Sequence, residues 1–534
     1  MTNLQPERPG ARTDPAPTGP CRIVTAVTIE IGHGLSFDGV VAVARGGADV
    51  ALAPKARARI AAARRVVEEA VASPTASYGI NTGIGDLATV RIDPAEARTL
   101  QRDLVRSHAT AVGQPLSRDV VRAMLLLKAR TFAFGHSGVR TEIVERIVEF
   151  LNRGIHPVVP SQGSLGASGD LSPLAHLALP LLGEGRVEYR GETCDSAPVL
   201  QQEGLEPIEL SHKEGLSLVN GTEGMLACGI LAYDGAVTLA RTADVTGAMS
   251  VEALLGTDAV FRERVIGLRR HPGAQKVARN LRALLDASSI VASHRASEHL
   301  VQDAYSLRCI PQVHGAYRDG LEYVRSMLDA ELTSAVDNPS VLPDEGVVAS
   351  SGNFHGEALG LALDHLGLCL TGYATIAERR IARLIDPRMN NGLPAFLTED
   401  PGRRTGFMIA HYTAAALVAE NRSLCWPASS DSIPTSAGQE DHVSMGATSG
   451  RRALSILANS ERAIAVEAMA AAQGLELRGM DPAPATNAAR EVIRETSPRL
   501  IEDRSLAPEI ERVSRVIAGG RIVAAAETKT GPIA

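Results

Sequence analysis

The second half of the chain carries a strong helical pattern of apolar residues. From Ser217 onward, apolar side chains recur every three or four positions over long stretches. This spacing lines one face of an α-helix and predicts helices long enough to pack into a bundle. The predicted helices are Met225–Ala253, Ala274–Ala287, Ala316–Val336, Glu357–Leu384, Phe407–Leu424, Ala447–Gly474 and Ala485–Ile493.

The pattern of the first part of the chain is more mixed. Alternating apolar and polar residues over Arg22–Pro54 predict short strands and turns, at Val27–Ile31 and Val40–Val43. Ser77–Arg91 is predicted to be a loop, and the density of Gly and Pro over His156–Pro173 leaves no regular element expected there. Helices are predicted at Lys55–Ala72, Pro94–Ala111, Ser117–Phe134 and Thr141–Arg153.

These patterns together predict the fold class and its division. The expected fold is mainly α, with a small N-terminal α/β-containing part followed by a long central helical bundle. Residues 1–21 are rich in Pro, Gly and Thr, which predicts a disordered tail. We expect an N-terminal domain over residues 22–220 and a central and C-terminal helical bundle over residues 221–534.

Composition narrows the class of protein. The 534 residues have a net charge of −7 and no basic block, which disfavours nucleic acid and membrane surfaces as partners. The six cysteines are scattered without a C-x-x-C pair, as is typical of reduced thiols in a cytoplasmic protein. The most apolar stretch, Ala358–Ile376, contains Asp364 and His365, so we interpret it as a buried helix rather than a membrane span.

The Gly-rich segment Gly163–Gly169 is a candidate for unusual chemistry. It lacks the Lys-Ser/Thr pair of a phosphate-binding loop. In a sharply bent backbone, the Gly169 amide nitrogen can attack the Ala167 carbonyl carbon, and this ring closure releases one water. Elimination of the Ser168 hydroxyl releases a second water and leaves an electrophilic methylidene-imidazolone. An isolated Ala-Ser-Gly sequence, however, is usually an ordinary turn.

The wider string around this tripeptide resembles a known family. Gly163–Ala175, GSLGASGDLSPLA, closely resembles the signature of the aromatic amino-acid ammonia-lyases and aminomutases. The resemblance covers roughly residues 25–500. It recurs, in the order of the family, at Tyr78–Gly85 (YGINTGIG), Leu104–Gly113 (LVRSHATAVG), Lys213–Thr222 (KEGLSLVNGT), Gln302–Val313 (QDAYSLRCIPQV), Ser351–Glu357 (SGNFHGE) and Pro434–Met445 (PTSAGQEDHVSM).

The resemblance implies roles for individual residues. Ala167, Ser168 and Gly169 would form a 4-methylidene-imidazol-5-one group, and Asp170 would support its formation. Tyr78 would be the catalytic base, and a phenol in that role needs a cationic or dipolar setting because its usual pKa is near 10.

The substrate would be held by further residues. The planar fork of Arg308 suits a carboxylate. Gln302, also expected to bind substrate, and Tyr305, expected to be catalytic, would face the same way if that segment is helical or turn-like. Asn220 would contact the electrophile and the substrate carboxylate, and Phe354 would pack near the electrophile.

Two positions indicate the histidine-specific branch of the family. His108 follows Ser107, and Glu440 stands where the phenylalanine and tyrosine enzymes usually carry Gln. An imidazole substrate needs hydrogen-bonding partners that a carboxylate and a histidine can supply. The implied reaction converts L-histidine to trans-urocanate and ammonia, without a metal or a dissociable cofactor. Catalytic Glu440 would belong to an active site assembled from three subunits of a homotetramer.

Other interpretations stay open at this point. The chain could be a tyrosine or phenylalanine ammonia-lyase or a 2,3-aminomutase of the same family, or a scaffold that has lost catalysis. A fumarase-like lyase is disfavoured because its S-S-x-M-P-x-K-x-N loop is missing. Four residues depart from the family pattern: Ile84, Glu223, His314 and His411. The Gly79–Gly85 loop suits a mobile lid, and Ile84 is expected to alter how it packs. The two histidines are expected to alter the substrate pocket.

Overall fold

The computed structural model describes residues 28–93, 95–295 and 301–534. The predicted tail and Val27 lie outside these residues. Over the described residues the chain is mainly helical, as the periodicity predicts. The predicted division at residue 220 stays a prediction, although the helix that follows it is the first of the long core helices.

The helices, in chain order, have these bounds. They are α1 Phe37–Ala44, α2 Pro54–Ala72, α3 Ala97–His108, α4 Arg118–Ala133, α5 Thr141–Arg153, α6 Leu171–Ala178, α7 Ser196–Glu203, α8 Glu214–Val219, α9 Glu223–Ala253, α10 Glu263–Ile266, α11 Pro272–Leu284, α12 Ser289–Ser293, α13 Tyr305–Arg308, α14 Ile310–Leu332, α15 Glu357–Ile385, α16 Met408–Leu424, α17 Gly446–Arg478, α18 Pro484–Thr496, α19 Ala507–Ala518 and α20 Arg521–Thr530. The predicted long helices agree with these within about six residues at each end. The sequence pattern does not predict the short helices α6, α7, α8, α10 and α12 or the C-terminal helices α19 and α20.

The strands are short and form four small sheets. They are β1 Thr28–Ile31, β2 Asp49–Leu52, β3 Val112–Pro115, β4 His156–Pro157, β5 Pro160–Gln162, β6 Arg186–Tyr189, β7 Glu192–Asp195, β8 Ser340–Leu342 and β9 Val347–Ala349. β1 pairs with β2 in parallel, and the antiparallel pairs are β3–β5, β4–β6, β6–β7 and β8–β9.

Three long helices form the centre of the molecule. α9, α15 and α17 have 31, 29 and 33 residues and pack on one another along their length. Helix α15 is long and apolar enough to cross a membrane, but 78% of its most apolar window is buried in the protein. This burial confirms the prediction of a core helix for Ala358–Ile376.

Two predictions for the N-terminal part were wrong. Val40–Val43 lies in helix α1, because the Ser36 hydroxyl caps that helix by accepting a hydrogen bond from the Gly39 N–H at 3.0 Å. The segment His156–Pro173 contains the strands β4 and β5 and the first turn of α6. The pairings of β4 with β6 and of β5 with β3 are so short that they tolerate prolines within the strands.

The fold brings several helix N-termini to the Ala-Ser-Gly loop. The Met445 N–H, just before α17, donates to the Leu165 carbonyl at 2.8 Å, and the Gly356 N–H, just before α15, donates to the Gly166 carbonyl at 3.4 Å. Helix α6 begins directly after Asp170. Because the N-terminal end of a helix carries partial positive charge, the loop lies in a dipolar setting.

Candidate active site

A cavity of about 630 Å³ brings together residues from separate parts of the sequence. Tyr78, His108, Ser168, Asn220 and Glu440 all line it. Apolar side chains contribute much of the remaining wall: Ile84, Leu87, Val90, Ile92, Leu100, Leu104, Leu171 and Leu216. A cavity with a few converging polar groups in an apolar wall has the usual character of a small-molecule site.

The Ala-Ser-Gly loop is tightly confined at its glycine. Gly169 has φ +76°, and a Cβ there would fall 1.9 Å from the Gly221 carbonyl oxygen. The Asp170 N–H donates to the same oxygen at 2.7 Å. Only glycine therefore fits this position, both in backbone conformation and in space.

Ser168 and Glu440 are in direct contact although they are far apart in sequence. The Ser168 hydroxyl donates to Glu440 Oε1 at 3.0 Å. The other carboxylate oxygen, Oε2, accepts from the Thr435 hydroxyl at 2.9 Å. The carboxylate is thus fixed over the residue that is predicted to carry the electrophilic carbon.

Tyr78 lies half-buried in the wall of the cavity. Its hydroxyl accepts a hydrogen bond from the Gly85 N–H at 2.9 Å. Burial raises the pKa of Tyr78, the Gly85 N–H lowers it, and the negative charge of Glu440 raises it further. The dipolar contact acts in the predicted direction, but within this chain the other two effects outweigh it.

His108 ends helix α3 and is also half-buried. Its Nδ1 lies 3.2 Å from the Ser107 hydroxyl. Burial lowers the pKa of His108, while a backbone contact to Leu104 and the charge of Glu440 act in the opposite direction. A neutral imidazole offers one donor and one acceptor nitrogen, which suits a polar substrate ring.

Asp170 directly precedes α6, and its buried side chain packs against the first turn of α9. Its Oδ2 accepts from the Met225 N–H at 2.8 Å, and its Oδ1 accepts from the Ser164 hydroxyl at 2.9 Å. Burial raises its pKa to about 6, against the lowering effect of these hydrogen bonds. A carboxyl group with this pKa can exchange a proton near neutral pH.

Asn220 is held by its amide nitrogen. Nδ2 donates to Asp337 Oδ1 and to the Asn338 carbonyl, each at 3.1 Å. Oδ1 is buried and has no hydrogen-bond partner among the described residues. In this orientation the amide offers an acceptor, which suits an N–H donor better than a carboxylate.

Three predicted site residues, catalytic Tyr305 and substrate-binding Gln302 and Arg308, do not line this cavity. Tyr305 and Arg308 are on the short helix α13, with the Arg308 guanidinium 4.7 Å from the centre of the Tyr305 ring. Gln302 is exposed and precedes that helix, so only part of the predicted segment is helical. Tyr305 is 72% exposed and lines a separate groove that shares no residue with the cavity.

Phe354 does not line the cavity, but it lies close in sequence to a residue that contacts the Ala-Ser-Gly loop. It is half-buried, two residues before Gly356, whose N–H reaches the Gly166 carbonyl. Its neighbour His355 uses Nε2 to contact the His442 carbonyl at 3.2 Å. The two residues that follow Phe354 thus contact the Glu440 and Ala-Ser-Gly segments, and its own predicted role stays a prediction.

The four departures from the family pattern have different surroundings. Ile84 lines the cavity, and Glu223 is buried with its Oε2 3.5 Å from Lys128 Nζ. His314 and His411 do not line the cavity: His314 Nδ1 contacts Asp244 at 2.8 Å in the core, and His411 Nε2 contacts Glu378 at 2.7 Å. The expectation that these two histidines affect the pocket therefore gains no support from the described residues.

The side chains that could bind a metal ion lie apart from one another in the part of the chain that the structure describes. There, no group of three His, Cys, Asp or Glu side chains is placed to hold a metal ion. The polar residues of the cavity wall are instead mixed, with one phenol, one imidazole, one amide and one carboxylate among the predicted residues.

Comparison with known proteins identifies the family. Residues 35–495 match the family described as aromatic amino acid lyase. The chain is a member of the aromatic amino acid lyase family. It is 50% identical to the histidine ammonia-lyase of Symbiobacterium thermophilum, over 95% of this chain and 99% of the relative. It is 47% identical to the histidine ammonia-lyase of Gloeobacter violaceus, over 96% of this chain and 99% of the relative.

Solved structures support the same membership. The histidine ammonia-lyase from Trypanosoma cruzi superimposes with a TM-score of 0.87 at 41% identity, covering 94% of this chain and 96% of that chain. The tyrosine aminomutase from Streptomyces globisporus superimposes with a TM-score of 0.90 at 38% identity, covering 95% and 99%. The fold of this aromatic amino acid lyase is thus shared by lyases and by an aminomutase.

The sequence analysis did not single out the buried charged residues that hold Asn220 in the wall of the cavity. Lys128, Lys213 and Asp337 are buried around Asn220. Lys213 Nζ donates to Asp337 Oδ2 at 2.9 Å, and Lys128 Nζ donates to the Asn220 carbonyl. A lysine at a buried helical position, such as Lys128 within α4, is the signal that could have found them.

Proposed function

We propose that this chain is a histidine ammonia-lyase, which eliminates ammonia from L-histidine to give trans-urocanate. The observation that carries the proposal is the contact between Ser168 and Glu440, in the same cavity as Tyr78 and His108. This contact puts a predicted binder of the imidazole one hydrogen bond away from the predicted electrophile. The full-length relatives named histidine ammonia-lyase support the same activity.

The electrophile would be a 4-methylidene-imidazol-5-one made from Ala167, Ser168 and Gly169. The residues present fit this group: Gly169 has the required positive φ and no room for a side chain, and the Asn220 acceptor has no partner in the described part of the chain. The group would supply an electrophilic carbon for the amino group of the substrate. Asp170, with a pKa of about 6, would take up a proton during ring closure.

Tyr78 would remove the β-proton of the substrate. The Gly85 N–H remains directed at the phenol oxygen and stabilises its ionised form. A positive charge on the bound substrate would lower the raised pKa of Tyr78, because a nearby cation favours the phenolate. His108 and Glu440 would hold the imidazole ring and orient the β-carbon toward Tyr78.

Arg308 and Tyr305 would act in the active site of another subunit. Neither lines the cavity, Tyr305 lines a separate groove, and Arg308 Nε is buried without a partner among the described residues. The outer faces of α15 and α16 expose several large apolar side chains, which suits an interface between copies. They are Leu361, Leu368, Ile409 and Tyr412. We expect a cytoplasmic homotetramer with shared active sites, in which Gln302 and Phe354 complete the substrate pocket.

Incubation of the purified protein with histidine, tyrosine and phenylalanine tests the proposal. We expect urocanate and free ammonium from histidine at a rate well above the products from the other two. A β-amino acid as the main product would instead identify an aminomutase. Cinnamate or coumarate as the preferred product would contradict the roles of His108 and Glu440.

A further inference from the structure

The Ala-Ser-Gly loop rests on a second backbone segment, which consists of Asn220, Gly221 and Thr222. Gly221 pairs with Gly169 in an isolated parallel bridge. The Asp170 N–H donates to the Gly221 carbonyl at 2.7 Å, and the Gly221 N–H donates to the Ser168 carbonyl at 3.4 Å. The position of residues 220–222 therefore decides how sharply the loop can bend.

A buried ion pair contacts this supporting segment from the other side. Lys128 Nζ donates to the Asn220 carbonyl and lies 3.5 Å from Glu223 Oε2. The two side chains are 1% and 2% exposed. The Glu223 carboxylate lies against Gly221, because a Cβ on Gly221 would fall 2.3 Å from Glu223 Oε2.

The pair is anchored firmly in two helices. Lys128 belongs to α4, and Thr131 of the same helix donates its hydroxyl to Glu223 Oε1 at 2.7 Å. Glu223 is the first residue of α9, where the helix end stabilises a negative charge. The contacts thus connect α4, α9 and the carbonyl of Asn220 in one rigid arrangement.

Stability alone does not explain a buried pair of this kind. Removing two charges from water costs free energy that their attraction often fails to recover, and apolar replacements are often as stable. A positional role does explain it, since the ammonium fixes a backbone carbonyl that an apolar side chain could not hold. Ring closure needs a strained loop, and strained loops persist only where the surroundings fix them.

We propose that Lys128 and Glu223 are positioning residues that hold residues 220–222 against Ser168–Asp170 and thereby promote closure of the ring. This inference rests on the proposed function, because it assumes that the Ala-Ser-Gly segment cyclises. Neither residue lines the cavity, so neither is expected to touch the substrate. Their effect is on the formation of the electrophile.

The test compares Lys128→Met, Glu223→Gln and the double variant with the unaltered protein by intact mass. Cyclisation removes the mass of two water molecules, and the peptide that contains Gly163–Pro173 locates the loss. Because a charge-assisted hydrogen bond to the Asn220 carbonyl is lost, we expect the cyclised fraction in Lys128→Met to fall roughly tenfold or more in freshly made protein. The smaller change in Glu223→Gln should give an intermediate fraction.

The double variant separates positioning from simple loss of stability. It leaves no member of the pair buried and charged without its partner, so it should fold even if Lys128→Met folds poorly. We expect its cyclised fraction to stay low, since the Asn220 carbonyl still lacks its ammonium. A complete loss of two waters in the folded double variant would overturn the inference.

A matched control removes a different buried carboxylate. Glu467 is 0% exposed and pairs with Arg380 in the helical core. Glu467→Gln should retain the full two-water loss, even if its melting temperature falls. Equal defects in Glu467→Gln and the double variant would also overturn the inference. If the unaltered active protein itself lacked the two-water loss, the proposed electrophile would be wrong instead.

Discussion

At the scale of single residues, Tyr78 lies in surroundings that oppose its predicted role. Burial and the charge of Glu440 raise the pKa of Tyr78, and the Gly85 N–H compensates only in part. A base with a raised pKa is ionised less at neutral pH. Tyr78 therefore needs additional positive charge, which the bound substrate or another subunit can supply.

Replacement of Tyr78 by Phe should separate its chemical role from its packing role. We expect kcat to fall roughly 10²- to 10⁴-fold, because general base catalysis is lost while the ring of the side chain is kept. The two-water mass loss should remain, since the Tyr78 hydroxyl hydrogen-bonds to the Gly85 N–H and not to the atoms that close the ring. Steady-state urocanate formation measures the first effect and intact mass the second.

Tyr233→Phe is the matched control for this substitution. Tyr233 lies in α9, packs edge-on against Phe37 and does not line the cavity. Its loss of a hydroxyl should leave kcat within about twofold of the unaltered protein. If Tyr78→Phe and Tyr233→Phe were equally active, Tyr78 would not be the catalytic base.

Glu440→Gln should change both the affinity and the pH dependence of the enzyme. The charge of Glu440 raises the pKa of Tyr78 and of His108, so its removal lowers both. The rising limb of the kcat/KM profile, which we assign to ionisation of Tyr78, should consequently move to lower pH. KM for histidine should rise roughly tenfold or more, because a charged partner of the imidazole is lost.

An exposed carboxylate provides the control for that experiment. Glu322 has a 68% exposed side chain and pairs with Lys276 on the surface. Glu322→Gln should leave the pH profile and KM unchanged. A shift of the rising limb to higher pH in Glu440→Gln would contradict the assignment of that limb to Tyr78.

At the scale of elements, periodicity predicts the long helices well. Helix α9 is 31 residues long, and no strand interpretation competes over such a length. The short α1 is harder to predict because four consecutive apolar or small residues, Val40–Val43, fit either a strand or a helix. The contact between Ser168 and Glu440 joins residues that are far apart in sequence, and no local sequence pattern predicts it. Only the resemblance to the family motifs assigned both residues to one site.

Gly169→Ala should prevent closure of the loop. The new Cβ would fall 1.9 Å from the Gly221 carbonyl oxygen, so the two segments could no longer pair. We expect protein of unchanged mass apart from the substitution, with no loss of two waters and no measurable urocanate formation. Intact mass and the activity assay are measured on the same preparation.

Gly204→Ala separates this clash from backbone strain. Gly204 has φ +65° and ends α7, and a Cβ at this position would meet nothing within 4 Å. The substitution should cost roughly 1–2 kcal/mol of stability, because alanine disfavours the left-handed conformation, and should leave the mass loss complete. A normal two-water loss in Gly169→Ala would show that the loop closes without the observed pairing.

At the scale of the whole molecule, the predicted site is divided between two surfaces. Tyr78, His108 and Glu440 line the cavity, whereas Tyr305 lines a separate groove and Arg308 lies next to Tyr305 on α13. A single chain would then hold the ring of the substrate and leave its carboxylate without the predicted partner. The proposed assembly of copies would explain both this division and the exposed apolar side chains of α15 and α16.

Co-expression of two inactive variants tests that assembly directly. Tyr78→Phe and Arg308→Ala each remove one function from every site of a homo-oligomer. If a site takes Tyr78 from one copy and Arg308 from another, random mixing leaves both residues intact in about a quarter of the sites. We therefore expect roughly a quarter of the unaltered activity from the mixed oligomers, purified through a different tag on each variant. The two variants mixed as separately assembled oligomers should remain inactive. If mixed oligomers of confirmed composition showed no activity, one copy would supply both Tyr78 and Arg308 to each site. In that arrangement every site still contains one of the two substitutions.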